Sequence, residues 1–166
     1  MRKLTADWIL PIANDPIPNG TVVVDETGKI VEVAPAKTYD SSSLEYFKGS
    51  LIPGFINTHC HLELSHMRGV APTGTGLLPF LETVVNHRHV AQEAIDEAIR
   101  NADLEMQREG IVAVGDICNK LDTAPIKMNS PIRYYSFVEM FDFLQNDWAK
   151  KTFTDYAAVL NGQPDT

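Results

Sequence analysis

One stretch decides the fold of this chain: Leu51-Ile52-Pro53-Gly54-Phe55-Ile56-Asn57-Thr58-His59-Cys60-His61-Leu62-Glu63. Residues 51–58 are apolar enough to form a buried strand, and two histidines separated by one residue follow it. Successive side chains of a strand alternate between its faces, so His59 and His61 should point the same way, roughly 6–7 Å apart. Two neutral imidazoles that converge at a strand end make half of a metal site.

Residues 1–50, on the N-terminal side of this stretch, carry strand and turn signals. The β-branched run at residues 21–24 and the alternating run at residues 30–33 flank Glu26-Thr27-Gly28-Lys29, which has the composition of a hairpin turn. Leu44-Glu45-Tyr46-Phe47 is a further candidate strand. We therefore predict a small all-β domain at residues 1–50, which is too short for a substantial core of its own.

Residues 51–166, which begin with the quoted stretch, show a strand–helix alternation. Residues 64–79 are rich in Gly and Pro and predict a long loop, and a helical pattern begins near Phe80 with an apolar stripe from Ala91 to Met106. Gly110 is placed to end that helix. Strands at 111–116 and 131–138, a short helix between 119 and 128 and a helix at 142–160 complete a βαβ series, which predicts parallel strands.

Composition and charge exclude several classes of protein. The net charge is −8 and no basic patch is visible, so neither a nucleic acid nor an anionic membrane is an expected partner. Two cysteines, Cys60 and Cys118, form no CxxC pair, which fits a reducing compartment. There is no signal peptide pattern and no apolar run of about 18–20 residues, so we expect a cytoplasmic protein.

The two HxH pairs of the sequence differ in their setting. His87 and His89 fall in the predicted helix, where side chains two residues apart diverge by about 200° and cannot share an ion. His59 and His61 lie where a parallel strand opens into a loop, which is where α/β folds place their sites. The metal ligands we predict are therefore His59 and His61.

The residues around this pair resemble the amidohydrolase superfamily of metal-dependent hydrolases. Residues 53–63, preceded by a short β domain, are similar to the end of the first barrel strand in that family. The run from His61 to Gly69 is similar to the branch that deaminates purines, pyrimidines and related aminated rings, which also includes chlorohydrolases. The resemblance implies an incomplete (β/α)8 TIM-type barrel at 51–166, about its first three βα units, preceded by a small β-sandwich-type domain at 1–50.

The resemblance also implies a chemistry. In the family a divalent metal, zinc most often and iron in some members, activates water to displace an amine from a ring carbon. Its further ligands are histidines that end strands 5 and 6 and an aspartate that ends strand 8, and the branch uses a glutamate of the strand 5–6 region as proton shuttle. These positions lie beyond three βα units, so we name no catalytic residue and expect the 166-residue chain to be inactive alone.

Several other side chains are candidates for lesser roles. Glu63 would share the histidine face of an extended strand and could bind a small-molecule substrate, or could pair with Arg68 instead. Arg68 is a candidate for an anionic substrate group. Cys60 should point away from the histidines as a buried thiol. Asp116, Cys118 and Glu139 sit near strand ends, where capping or loop hydrogen bonding is the expected role.

Two further readings of the sequence stay open. One is a cyclic-amide hydrolase or halogen-displacing enzyme of the same superfamily. The other is a non-catalytic half-barrel subunit that assembles with a partner chain, because three parallel strands would leave an apolar edge uncovered. The expected partners are thus a substrate, the C-terminal remainder of the barrel or a complementary chain, with a homo-oligomer as a further assembly.

Overall fold

The computed structural model of the protein describes residues 1–141 and 145–164. Within them the chain forms two compact units, Met1–Gly54 and a second that begins at Phe55. In the part of the chain so described, no helix is long and apolar enough to cross a membrane. Each unit has its own sheet and its own core, so each follows from its own stretch of sequence.

The first unit is a five-stranded sheet around its first strand. β1 pairs antiparallel with β2 and β3 along one edge and parallel with β5 along the other, and β4 pairs with β3. A 3₁₀ turn, Ser41–Ser43, precedes β5. The strands are β1 (Arg2–Ile9), β2 (Ile17–Pro18), β3 (Thr21–Val24), β4 (Ile30–Ala34) and β5 (Glu45–Leu51).

Alternating apolar residues build the core of this unit. Ala6, Ile9 and Val22 are buried together, with Leu51 packed against them. The hairpin between β3 and β4 forms as its sequence predicts. Gly28 adopts a φ of +85°, and its N–H donates to the Asp25 carbonyl at 3.1 Å.

The second unit is a three-stranded parallel sheet with helical connections, as the strand–helix alternation predicts. The strand order is β6-β7-β8, and both pairs are parallel. Its elements are β6 (Phe55–Cys60), a 3₁₀ segment (Leu62–Met67), α1 (Leu77–His87), α2 (Gln92–Arg108), β7 (Ile111–Cys118), α3 (Ala124–Asn129), β8 (Arg133–Val138), a 3₁₀ turn (Asn146–Trp148) and α4 (Ala149–Gly162).

One face of this sheet carries the core. Ile95 and Ile99 of α2 pack on Val114 and Tyr134, together with Leu62 from the 3₁₀ segment. The predicted stripe is buried or half-buried from Ile95 to Met106, whereas Ala91 and Ala94 are exposed and Asp103, off the stripe, is buried. The predicted stop at Gly110 is confirmed by its φ of +78° and its N–H bond to the Gln107 carbonyl.

The opposite face of the sheet stays open. Ile56 is 66% exposed, Tyr135 69% and Phe137 51%, and with Thr58 and Gly115 they line an open concavity of about 320 Å³. The expectation that the first strand of this unit is buried on both faces is therefore wrong for the described residues, because helices cover one face only.

Three parts of the sequence prediction differ from the structure. The strand predicted at 51–58 begins at Phe55, because Leu51 ends β5 and its carbonyl accepts the N–H of Leu10. Residues 64–79 are not all loop, since the 3₁₀ segment runs to Met67 and α1 starts at Leu77. α1 ends at His87, so His89 lies outside the helix. The predicted helix start at residue 142 lies outside the described residues.

Candidate metal centre

His59 and His61 come together where β6 ends. Their ring centroids are 5.3 Å apart, with an interplanar angle of 64°. His59 is exposed and His61 is half-buried, so both residues are accessible from solvent. Asn57 stabilises the bend at this point, because its Oδ1 accepts the His59 N–H at 3.2 Å while its Nδ2 lies 3.9 Å from the Met106 sulfur.

Both imidazoles have free nitrogen atoms. Among residues 1–141 and 145–164, no hydrogen bond or ion pair engages a ring nitrogen of His59 or His61. The His66 ring, in contrast, lies 3.0 Å from the Arg88 carbonyl, and His87 Nδ1 lies 3.0 Å from the Thr83 carbonyl. The strand-end pair is thus available for a ligand, which two other histidines are not.

The spacing of this pair fits a shared ion. Imidazoles that bind one tetrahedral ion through nitrogens about 2.0–2.1 Å away hold their ring centres about 5 Å apart. The 5.3 Å between His59 and His61 agrees with this value. No group of three or more His, Cys, Asp or Glu side chains in the described part of the chain is arranged to hold a metal, so no third side chain of these types joins the pair there.

Glu63 is buried just beyond the pair and is fully engaged. One carboxylate oxygen accepts a bond from Arg88 at 3.1 Å, and the other accepts the N–H groups of Asn119 and Lys120 at 2.9 and 3.1 Å. Its side chain is 2% exposed. The carboxylate therefore fastens the 3₁₀ segment after β6 to the loop after β7, and its ion-pair partner is Arg88, not Arg68.

Arg68 lies on the surface, away from Glu63. Its guanidinium donates to Glu105 at 2.6 Å, and both side chains are largely exposed. That contact raises the pKa of Arg68 above its usual value. A surface pair of this kind contributes little to stability, so the guanidinium can exchange its partner at little cost.

The two cysteines face the core. Cys60 packs against the cluster around Leu62, on the side of β6 predicted for it, and Cys118 is fully buried. Burial raises the pKa of each thiol to about 11. Both are therefore protonated at neutral pH and are poor nucleophiles.

Asp116 occupies the covered face of β7. It follows Val114 and precedes Cys118 in the buried register of the strand, and its Oδ2 lies 2.6 Å from Nζ of Lys127. The side chain of Glu139 does not join this group, although its backbone carbonyl accepts a bond from the Asn119 side chain at 3.0 Å.

Sequence reasoning did not find Arg88 and Lys127 as members of this region. One signal was available: strand periodicity puts Asp116 in register with Val114 and Cys118, and a carboxylate on a covered face needs a cationic partner. Which lysine or arginine supplies that charge depends on contacts between distant parts of the chain, and their spacing in the sequence does not reveal them.

The comparisons with known proteins point to one family. The profile of the Amidohydrolase family matches residues 50–133, half of the chain. The 5′-deoxyadenosine deaminase of Methanococcoides burtonii is 35% identical over 109 residues, which cover 62% of this chain and 24% of that enzyme. The chain thus spans about a quarter of the length of the curated relative it matches.

Two solved structures share the fold. Aminofutalosine deaminase of Helicobacter pylori, in complex with methylthio-coformycin, superimposes with a TM-score of 0.78 at 23% identity, over 97% of this chain and 41% of that one. Atrazine chlorohydrolase TrzN of Arthrobacter aurescens TC1, complexed with zinc, superimposes with a TM-score of 0.63 at 22% identity, over 82% of this chain and 35% of that one.

These likenesses show a TIM-barrel-like fold for the second unit's α/β architecture. The profile match begins at the end of β5 and includes β6, both strand-end histidines and β7. This chain belongs to the amidohydrolase family.

Proposed function

We propose that this chain is the N-terminal part of a metal-dependent aminohydrolase that removes the amino group from an aminated purine, pyrimidine or related ring. The observation that carries the proposal is the pair of unengaged imidazoles at the end of β6, 5.3 Å apart, inside the segment that matches the family. The 5′-deoxyadenosine deaminase from M. burtonii supports an aminated purine as the substrate class.

In this proposal residues 1–50 are the sandwich-type domain and residues 51–166 are the first βα units of the barrel. The likeness to aminofutalosine deaminase over 97% of the chain supports this assignment. The remaining strands, the other metal ligands and the proton shuttle would come from further polypeptide, either in the same chain or in a partner. The exposed apolar face around Ile56, Tyr135 and Phe137 is a surface that such polypeptide would cover.

His59 and His61 would hold a divalent metal, for which we propose zinc. When bound, such an ion supplies a water whose pKa is lowered to about 7. The zinc in the TrzN structure supports this assignment. The contribution of this chain is to present two imidazole nitrogens, one from His59 near the end of β6 and one from His61, which directly precedes the 3₁₀ segment.

Substrate contacts by Glu63 and Arg68 stay predictions. Arg68 is exposed, and its surface partner Glu105 can be replaced by an anionic group of a substrate. Glu63 would have to share a carboxylate that already accepts three bonds. The geometry therefore supports Arg68 as the more accessible of the two.

Metal binding tests the proposal through the histidine pair. We expect the purified protein to bind Zn²⁺ or Co²⁺, and the double variant H59A/H61A to lose at least tenfold in affinity, since changes behind a ligand already cost about 10–100-fold. The measurement is titration with Co²⁺ followed by visible absorption, with metal content determined by plasma mass spectrometry.

The second HxH pair provides the matched control. His87 and His89 have the same spacing, but His87 ends α1 and its Nδ1 lies within hydrogen-bond distance of the Thr83 carbonyl oxygen. The double variant H87A/H89A should bind cobalt as the unchanged protein does. Equal losses in the two double variants would refute ligation by His59 and His61.

Activity distinguishes the candidate reactions. Ammonia release from adenosine-type nucleosides, measured on the protein together with its complementary polypeptide, should appear with the complete barrel and vanish in H59A/H61A. Hydrolysis of cyclic amides in place of ammonia release would favour the second superfamily reaction. A stable complex with a different gene product in native mass spectrometry, without either activity, would favour a half-barrel assembly subunit.

A further inference from the structure

Asp116 reaches across the sheet to the residue that follows His61. Its Oδ1 accepts the backbone N–H of Leu62 at 2.7 Å, and both residues are fully buried. Asp116 lies opposite Cys60 in the register of β6 and β7. The carboxylate thus fixes the peptide unit that joins His61 to the 3₁₀ segment, and this unit sets the direction of the His61 side chain.

Lys127 holds the same carboxylate from the other side. Its Nζ lies 2.6 Å from Asp116 Oδ2 and also donates to Ser136 at 2.8 Å and to Gln163 at 3.1 Å. Neither charged side chain is exposed. A buried ion pair contributes little net stability compared with apolar residues of the same size. Its effect here is to attract Oδ2, while Oδ1 is directed at the Leu62 N–H.

A second carboxylate makes the reciprocal contact. Glu63, in the segment after β6, accepts the N–H groups of Asn119 and Lys120 after β7. Asp116 on β7 accepts an N–H from the segment after β6. Each strand end therefore supplies a carboxylate that accepts backbone N–H groups from the other. The backbone after His61 is held at Leu62 by Asp116 and at Glu63 by its own side chain.

We propose that Asp116 is a positioning residue for His61: it holds the Leu62 peptide unit and so orients the imidazole toward the ion it would share with His59. This inference rests on the proposed metal ligation. Asp116 itself would touch neither substrate nor metal, because its carboxylate lies on the covered face of the sheet, between Lys127 and the Leu62 N–H.

Two double variants separate the acceptor from the charge. Lys127→Met removes the buried cation in both. Asp116→Asn then keeps an oxygen that can accept the Leu62 N–H, whereas Asp116→Leu has nearly the same size and offers no acceptor. In the full chain we expect D116N/K127M to bind Co²⁺ within about threefold of the unchanged protein, and D116L/K127M to bind about 10–100-fold more weakly.

Two readouts distinguish positioning from folding. Thermal unfolding reports whether each variant is folded at the temperature of the titration, and D116A/K127M replaces the leucine variant if that one does not fold. Hydrogen exchange of the peptide that contains Leu62 should be faster in the leucine or alanine variant than in D116N/K127M. The cobalt absorption bands should change shape in the same variant, because the ligand direction changes.

The outcomes are separable. Equal cobalt affinity and equal exchange in the asparagine and leucine variants would overturn the positioning role and leave metal ligation intact. If the unchanged protein binds no cobalt, the proposed metal ligation fails and the orienting role for His61 fails with it. The exchange data would then show independently whether Asp116 holds the Leu62 amide.

Discussion

Asp103 shows at the residue scale how the second unit satisfies a buried carboxylate. Oδ1 accepts from the hydroxyls of Ser130 at 2.7 Å and Tyr134 at 2.6 Å, and Oδ2 accepts from Gln107 at 2.7 Å. Burial, and then the bond to Asp103, raise the pKa of Tyr134 far above its usual value. The phenol therefore stays protonated at neutral pH and donates to Asp103.

Tyr134→Phe should destabilise the protein by about 1–2 kcal/mol, because a buried carboxylate loses one of its donors. Tyr135→Phe is the matched control: the neighbouring ring is 69% exposed on the other face of the sheet, and surface changes of this kind stay within about 0.5 kcal/mol. Urea unfolding of the two variants measures the difference. Equal midpoints would show that the Tyr134 hydroxyl contributes nothing.

At the scale of elements, the close contact between β6 and β7 depends on Gly115. A Cβ on Gly115 would lie 2.9 Å from the Thr58 carbonyl oxygen and 3.4 Å from the Phe137 ring. A backbone carbonyl cannot move away as a flexible side chain can. Thr58 directly precedes His59. The contact between Gly115 and Thr58 therefore sets both the spacing of the two strands and the position of His59.

Gly115→Ala should therefore cost about 1–3 kcal/mol, the range for overpacked interiors, and should lower cobalt affinity as β6 shifts. Ala113→Ser serves as the control, since it adds one atom to the same face of the same strand. Thermal unfolding and cobalt titration of both variants make the comparison. A G115A protein that matches A113S in both measurements would contradict the argument.

Local signals predicted the elements well, and non-local contacts explain the misses. The apolar stripe of α2, Gly110 and the β-branched strand β7 each carry their information within a few residues, so sequence patterns were sufficient. The start of β6 was misplaced because Leu51 pairs with Ile9 of β1, more than forty residues earlier. The strand-end histidines could be found from their spacing and their place at the end of a predicted strand, whereas the bond from Asp116 to Leu62 spans 54 positions.

At the scale of the whole molecule, pH acts on the carboxyl groups of the first unit. Hydrogen bonds lower the pKa of Asp7, Asp25, Asp40 and Glu45, from Tyr46, Thr27, Ser42 and Arg2 respectively. A carboxyl whose pKa is lower in the folded than in the unfolded chain stabilises the fold above the unfolded pKa and loses that effect as pH falls.

Acid should therefore weaken the first unit. The unfolded reference for these aspartates is 3.8, so the loss should begin near pH 4 and grow below it. Trp8 lies in β1 and reports on this unit. We expect the unfolding temperature of the first unit, followed by Trp8 fluorescence in a W148F variant, to fall as the pH drops below 4. An unfolding temperature that is the same at pH 5 and pH 3 would contradict this prediction.

The bonds on either side of Leu62 also impose an order in time. Asp116 lies 54 residues after Leu62. The two amides that donate to Glu63 lie 56 and 57 residues after Glu63. During synthesis both histidines are translated before Asp116, Asn119 and Lys120, whose bonds hold the backbone that follows His61. Closing a loop of this length carries an entropy cost that must be met before the turn becomes rigid. For the proposed ligands, tight capture of an ion would then come after the second strand of the sheet has docked. A peptide of residues 50–69, which contains both imidazoles, would bind cobalt more weakly than the folded protein.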